Sequence, residues 1–124
     1  MKILLVDDDA FLRDMYAVKF TQAGHEVESV GSGAAALAKL EQGATYDVML
    51  LDVVMPNMTG TELMKQCKQQ YPDAHTVYIV LSNQGQDEDI KAANAAGAAG
   101  YIIKAESIPS EVVERVETLV SENA

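Results

Sequence analysis

Tryptophan is absent from the 124 residues, and cysteine occurs once, at Cys67. A single thiol excludes an internal disulfide framework and a cysteine-built metal site. It fits a reducing compartment. Basic residues are scarce: nine Lys and Arg stand against nineteen Asp and Glu, a formal net charge of −10. A surface with that balance repels a phosphate backbone, so no nucleic acid partner is expected. No apolar run approaches the length of a bilayer span, so no membrane insertion is expected. The apolar run at residues 3–6 stops at Asp7, Asp8 and Asp9, unlike a signal peptide. A soluble, cytoplasmic domain is the expectation. With 48% hydrophobic residues, a chain of this size can bury its own core.

The chain alternates between two periods. Strand-length apolar runs lie at residues 2–6, 26–30, 47–51, 76–81 and 99–103. Helical stretches follow them. Phe11, Leu12, Met15 and Val18 are placed on one face of the first helix. The spans 34–40, 61–70 and 87–96 read as helices, and Val112, Val113, Val116, Leu119 and Val120 mark a last one. Gly24, Gly43 and Gly97 stand where a left-handed residue ends a helix. Pro109 suits a first helical turn, with Ser107 or water standing in for the poor cap Ile108. The sum is five βα units. Runs such as Ile3–Val6 and Val48–Leu51 are apolar throughout, which suits parallel strands covered on both faces. Right-handed crossovers then favour an open, doubly wound, three-layer α/β sheet of the (βα)5 type. Nothing reads as a linker or second domain, and only Ser121 to Ala124 follow Val120. Residues 1–124 are therefore expected to be a single domain without an output domain.

Ligands of open α/β sheets bind beyond the carboxyl ends of the strands. Asp7, Asp8 and Asp9 follow the first strand and Asp52 the third. Ser82 and Asn83 end the fourth, and Lys104 the fifth. Taken singly, these read as an acidic turn, a turn carboxylate, a strand-end serine and a surface lysine. Together they converge on one edge. Like charges so close raise one another's pKa or demand a cation, and hard oxygen ligands suit Mg²⁺. A carboxylate beside Mg²⁺, facing a lysine and a hydroxyl, can attack phosphorus and become an aspartyl phosphate.

At these residues the sequence resembles the receiver domain of bacterial two-component response regulators. Ile3 to Asp9 is similar to that family's opening strand and acidic pair. Leu51-Asp52-Val53-Val54-Met55-Pro56-Asn57-Met58-Thr59-Gly60 is similar to its phosphoacceptor loop. Val80-Leu81-Ser82 resembles the strand with the switch hydroxyl, and Gly100 to Lys104 the strand with the switch aromatic and the lysine. The resemblance implies a CheY-like, flavodoxin-like sheet of order 2-1-3-4-5. It implies that Asp52 accepts a phosphoryl group from a histidine kinase or histidine phosphotransfer protein. Asp8, Asp52 and the main-chain carbonyl of Val54 would ligate Mg²⁺, and Asp7 would hold a metal-bound water. Lys104 and Ser82 would contact the phosphoryl oxygens, and Asp9 would cap or tune the acidic pair. Tyr101 would turn inward when Ser82 moves, altering a surface on the fourth helix, fifth strand and fifth helix that meets a downstream protein target. The chain would be a signalling phosphoacceptor, capable only of self-phosphorylation and autodephosphorylation, and not an enzyme.

Several positions depart from the family pattern. Lys104 is followed by Ala105 where a proline with a cis bond is usual. A cis bond before a non-proline costs about 3 kcal/mol, so a trans bond and a repositioned loop are expected. Asn83 replaces a small residue and narrows access. Val54 and Gln84, two beyond Asp52 and Ser82, occupy positions that tune hydrolysis in the family. An apolar Val54 cannot orient a water, so a slowly hydrolysing phosphoryl form is expected.

Three other readings compete. Gly31-Ser32-Gly33-Ala34-Ala35-Ala36 matches a dinucleotide-binding G-x-G-x-x-A turn, though in the second βα unit. Asp7 and Asp9 form the D-x-D of an aspartyl-nucleophile phosphohydrolase. A receiver-like interaction module that is never phosphorylated is the third. His25 and His75 lack ligand spacing and read as surface or loop residues. Met49, Met55, Met58, Met64 and Cys67 read as core or loop filler, and Glu106, Glu111, Glu114 and Glu117 as a solvated face.

Overall fold

The computed structural model describes residues 1–83 and 85–123. Among the described residues, five strands and five α-helices alternate: β1 (Lys2–Val6), α1 (Ala10–Gln22), β2 (Glu26–Val30), α2 (Gly33–Glu41), β3 (Val48–Leu51), α3 (Gly60–Gln70), β4 (Val77–Ser82), α4 (Asp87–Ala95), β5 (Gly100–Ile103) and α5 (Pro109–Glu122). The strands form one parallel sheet of order β2-β1-β3-β4-β5, with Val6 in register with Val30 and Leu51. The chain runs outward from β1 to β2, then crosses back to β3. The crevice between β1 and β3, at their carboxyl ends, is the switch point of the fold.

The apolar strands explain the three layers. Successive side chains point to opposite faces. Leu4, Val6, Met49, Leu51 and Val80 meet Leu63, Met64 and Cys67 on the face covered by α2, α3 and α4. Ile3, Leu5, Val48, Leu50, Ile79 and Leu81 meet Phe20, Val112 and Val116 on the face covered by α1 and α5.

The helix ends follow local chemistry. Asp9 caps α1 by accepting from the Leu12 N–H at 3.1 Å, and Ser32 caps α2 through the Ala35 N–H. Thr59 and Glu62 form a reciprocal capping box at α3. Asp87, Glu88 and Asp89 crowd the first turn of α4, where its dipole favours them. Gly24, Gly43 and Gly97 adopt φ of 95°, 92° and 101°, the left-handed geometry expected of them.

Three expectations need correction. Phe11 and Val18 are 77% and 54% exposed, so the face of α1 proposed for them does not meet the sheet. The buried stripe runs instead through Leu12, Tyr16 and Phe20, one turn apart, with Met15 beside it. His25 sits in a loop, but its ring is only 11% exposed and lies 2.8 Å from Glu117 Oε2, so neither is a freely solvated group. Ser107 does not cap α5: Ile108 is the cap residue, and no side chain bonds the helix start there. The trans bond expected after Lys104 is present, and the chain turns there through a 3₁₀ segment, Lys104–Glu106, that the sequence pattern did not signal. Gln84 lies outside the described residues.

Removing a fully buried aromatic leaves a cavity. Phe20→Ala should therefore cost about 3–5 kcal/mol in urea unfolding, whereas Phe11→Ala should change stability by less than about 0.5 kcal/mol. A comparable loss from Phe11→Ala would contradict this packing of α1.

Candidate phosphoacceptor site

The carboxyl ends of β1, β3, β4 and β5 bring Asp7, Asp52, Ser82 and Lys104 to one edge, and all four are buried. Asp7, Asp8 and Asp52 each offer a carboxylate oxygen, and these atoms lie within 4.8 Å of one another. Lys104 reaches across from the end of β5. Its Nζ donates to Asp7 Oδ2 at 2.5 Å and to Asp52 Oδ2 at 3.3 Å. The other oxygen of each carboxylate is fixed by the main chain. Asp7 Oδ1 accepts from the Asp9 N–H at 2.9 Å, and Asp52 Oδ1 from the Val54 N–H at 3.1 Å.

Burial pulls Lys104 toward its neutral form, but Asp7 and then Asp52 outweigh it and hold the ammonium above the ordinary lysine value of 10.5. Tyr16 of α1 lies in the field of the same pair. Burial raises its phenol, with Lys104 opposing and Asp7 adding. Three carboxylates against one ammonium leave two negative charges at the edge, the complement of a divalent cation with oxygen ligands.

The loop after β3 is held close. Gly60 begins α3 so near to Asp52 that a Cβ would stand 2.2 Å from the Asp52 carbonyl oxygen, and its N–H donates to the Val53 carbonyl. Asn57 takes φ of 70° in the same loop, a conformation asparagine tolerates better than most residues. Val54 is 63% exposed at the rim. On the far side, the Tyr101 hydroxyl is hydrogen-bonded to Ser82; burial raises its pKa, with Asp89 and Asp52 adding.

Asp7, Asp8, Asp52, Ser82 and Lys104 thus reach the edge, while Asn83 is exposed just beyond β4 and Asp9 turns to cap α1. That counts against a D-x-D phosphohydrolase, which needs Asp9 beside Asp7. The G-x-G turn is filled as well. A Cβ at Gly33 would stand 2.6 Å from Met58 Sδ, and one at Gly31 2.9 Å from Arg13 Nη1, leaving no open cradle for a pyrophosphate. A cavity of about 660 Å³ opens at the opposite, amino-terminal edge, among Leu40, Tyr46, Met49 and Tyr71, and none of the strand-end residues lines it. The sequence reading missed Arg13 and Tyr16. Their spacing from Asp9 and Phe20 was the available signal, since positions 9, 13, 16 and 20 share one helical face.

A lysine-bridged acidic cluster at the switch point of a 2-1-3-4-5 sheet marks an α/β domain with an anionic crevice suited to a divalent cation. The family profile described as "Response regulator receiver domain" matches residues 3–117. The transcriptional regulatory protein ResD of Bacillus subtilis is 35% identical over 120 residues, covering 96% of this chain and 48% of ResD. Chemotaxis protein CheY4 of Vibrio cholerae superposes with a TM-score of 0.86 at 34% identity, covering 95% of this chain and 97% of that one. A CheY-like receiver domain protein of Methanospirillum hungatei superposes with a TM-score of 0.86 at 29% identity, covering 98% and 94%. The chain belongs to the response regulator receiver domain family, with the two-component phosphoacceptor role of that family. It spans about half the length of curated relatives such as ResD and the response regulator SaeR of Staphylococcus aureus. Among the described residues, no helix is long and apolar enough to cross a membrane.

Because Lys104 is raised in the folded protein, its contribution to stability is complete below 10.5 and is lost as pH rises through the raised value. Urea midpoints followed into that alkaline range should fall more steeply for the wild type than for Lys104→Met. Lys104 also acts on the Tyr16 phenol, so the comparison is made in a Tyr16→Phe background, where parallel curves would contradict the ion pair.

Proposed function

We propose that Asp52 accepts a phosphoryl group from a phosphohistidine, on a histidine kinase or a histidine phosphotransfer protein, in a Mg²⁺-dependent reaction. The observation that supports this best is the Lys104 ammonium bridging Asp7 and Asp52 inside the three-carboxylate cluster. Asp7, Asp8, Asp52 and the Val54 main-chain carbonyl would hold the metal, whose chemistry is to withdraw negative charge from phosphoryl oxygens.

In the transfer, an Asp52 carboxylate oxygen forms a bond to phosphorus as the phosphorus–nitrogen bond to the imidazole breaks. The imidazole keeps that electron pair and takes a proton from solvent. Lys104 is already within hydrogen-bond reach of Asp52 Oδ2 and neutralises charge on the incoming group. The Ser82 hydroxyl, buried at the end of β4, supplies a further donor. Each transfer consumes the acceptor, so the chain acts as a signalling component with self-phosphorylation and autodephosphorylation as its only chemistry.

The Ser82–Tyr101 bond links the site to its surface. A phosphoryl group that recruits the Ser82 hydroxyl weakens its bond to Tyr101 and re-aims the ring between β5 and α4. This shifts a two-state surface on α4, β5 and α5 toward a form that a downstream protein recognises. Residues 1–124 act as one receiver unit in the cytoplasm, and the excess of acidic residues favours a protein target over nucleic acid.

Intact mass after treatment with acetyl phosphate and Mg²⁺ tests the assignment. The wild type should gain one phosphoryl group and Asp52→Asn none; a gain by Asp52→Asn would overturn Asp52 as acceptor. The exposed, apolar Val54 offers no donor or acceptor to orient an attacking water. The phosphorylated form should therefore decay slowly when followed by mass, and decay within seconds would contradict this role of Val54.

A further inference from the structure

Asp7 stands where the β1 ladder runs out. Its N–H still donates to the Val30 carbonyl of β2 at 3.2 Å. In a parallel ladder the donor for the Asp7 carbonyl would then be the N–H of Ser32. β2 ends at Val30, however, and Ser32 has left the sheet to cap α2. Asp7 is 2% exposed, so its carbonyl needs a hydrogen-bond donor in place of bulk water. Arg13 supplies it: Nη1 lies 2.8 Å from the Asp7 carbonyl oxygen. Gly31 leaves the guanidinium its room, since a Cβ there would stand 2.9 Å from Nη1.

That carbonyl belongs to the peptide plane joining Asp7 to Asp8. The Asp7 carboxylate is fixed independently by Lys104 and by the Asp9 N–H. The Asp8 carboxylate is exposed and takes its direction from the main chain. We propose that Arg13 is a positioning residue: by holding the Asp7–Asp8 peptide plane, it keeps the Asp8 carboxylate converged with Asp7 and Asp52 on a divalent cation. This rests on the reading of the acidic cluster as a Mg²⁺ site.

The sign of the effect separates positioning from charge. Arg13 is a cation near an anionic site, so as a mere charge it repels Mg²⁺, and Arg13→Ala would tighten binding. As a positioning group its loss weakens binding by roughly tenfold, the usual size for a partner behind a metal ligand. Gly31→Ala provides an independent variant, because it displaces the flexible end of Arg13 while leaving every charge in place.

Mg²⁺ titrations of the metal-free protein by calorimetry should give roughly tenfold weaker binding for Arg13→Ala, a smaller loss in the same direction for Gly31→Ala, and recovery of most affinity in Arg13→Lys, which keeps a donor. Without metal, the Asp8 N–H, which shares the held peptide plane, should exchange faster with solvent in Arg13→Ala. Unchanged or tighter binding by Arg13→Ala or Gly31→Ala, with the wild type binding normally, overturns the inference alone. Absence of Mg²⁺ binding by the wild type overturns the reading of the cluster and the inference with it.

Discussion

The Lys104 ammonium, shared between Asp7 and Asp52, is the constraint on which this edge depends. Three acids meet there because parallel strands deliver their carboxyl ends to one side of the sheet. Without a counter-charge, two buried carboxylates would repel each other or take up protons. The lysine ammonium bridges both acids and offsets one formal charge of the cluster. Backbone N–H groups from Asp9 and Val54 occupy the oxygens the lysine does not reach. The carboxylates are thus oriented by the fold before any ligand arrives, which is the preorganisation that phosphoryl chemistry requires.

The elements around the site serve that orientation. The loop after β3 must turn tightly enough to aim Asp52 at the crevice, and the close approach of Gly60 to the Asp52 carbonyl permits it. The Thr59–Glu62 capping box starts α3 immediately afterwards. α1 contributes from the other side, with Asp9 capping its start and Tyr16 buried near the ion pair. Ser82 and Tyr101 extend the polar contacts from the crevice toward α4.

Much of this was legible in the sequence, for a physical reason. Strands buried on both faces read as uninterrupted apolar runs, so Ile3–Val6 and Val48–Leu51 stood out by composition, whereas the edge strand Glu26–Val30 mixes charged with apolar residues and is only partly buried. Once the sheet is parallel, the residues after each run share an edge, and Asp7, Asp8, Asp52, Ser82 and Lys104 follow. The α1 face was not legible from apolar letters, because Tyr16 and an arginine share the buried side while Phe11 and Val18 face solvent. Nor could spacing show that Asp9 turns to the helix while Asp8 joins the cluster, since all three aspartates are chemically alike. The G-x-G pattern failed as a cradle because Met58 and Arg13, distant in sequence, fill it. His25 looked like a loop histidine, and only the packing of α5 brings Glu117 to it.

The central claim is that Asp52 is the nucleophile and that Asp7 and Asp8 are not. Borohydride reduction of the acetyl-phosphate-treated protein converts an aspartyl phosphate to homoserine, which tandem mass spectrometry of peptides places at one residue. Homoserine at position 52 alone is the predicted result. Homoserine at position 7, 8 or 9 would contradict the account, and would mean that the lysine bridge orients a different carboxylate for attack.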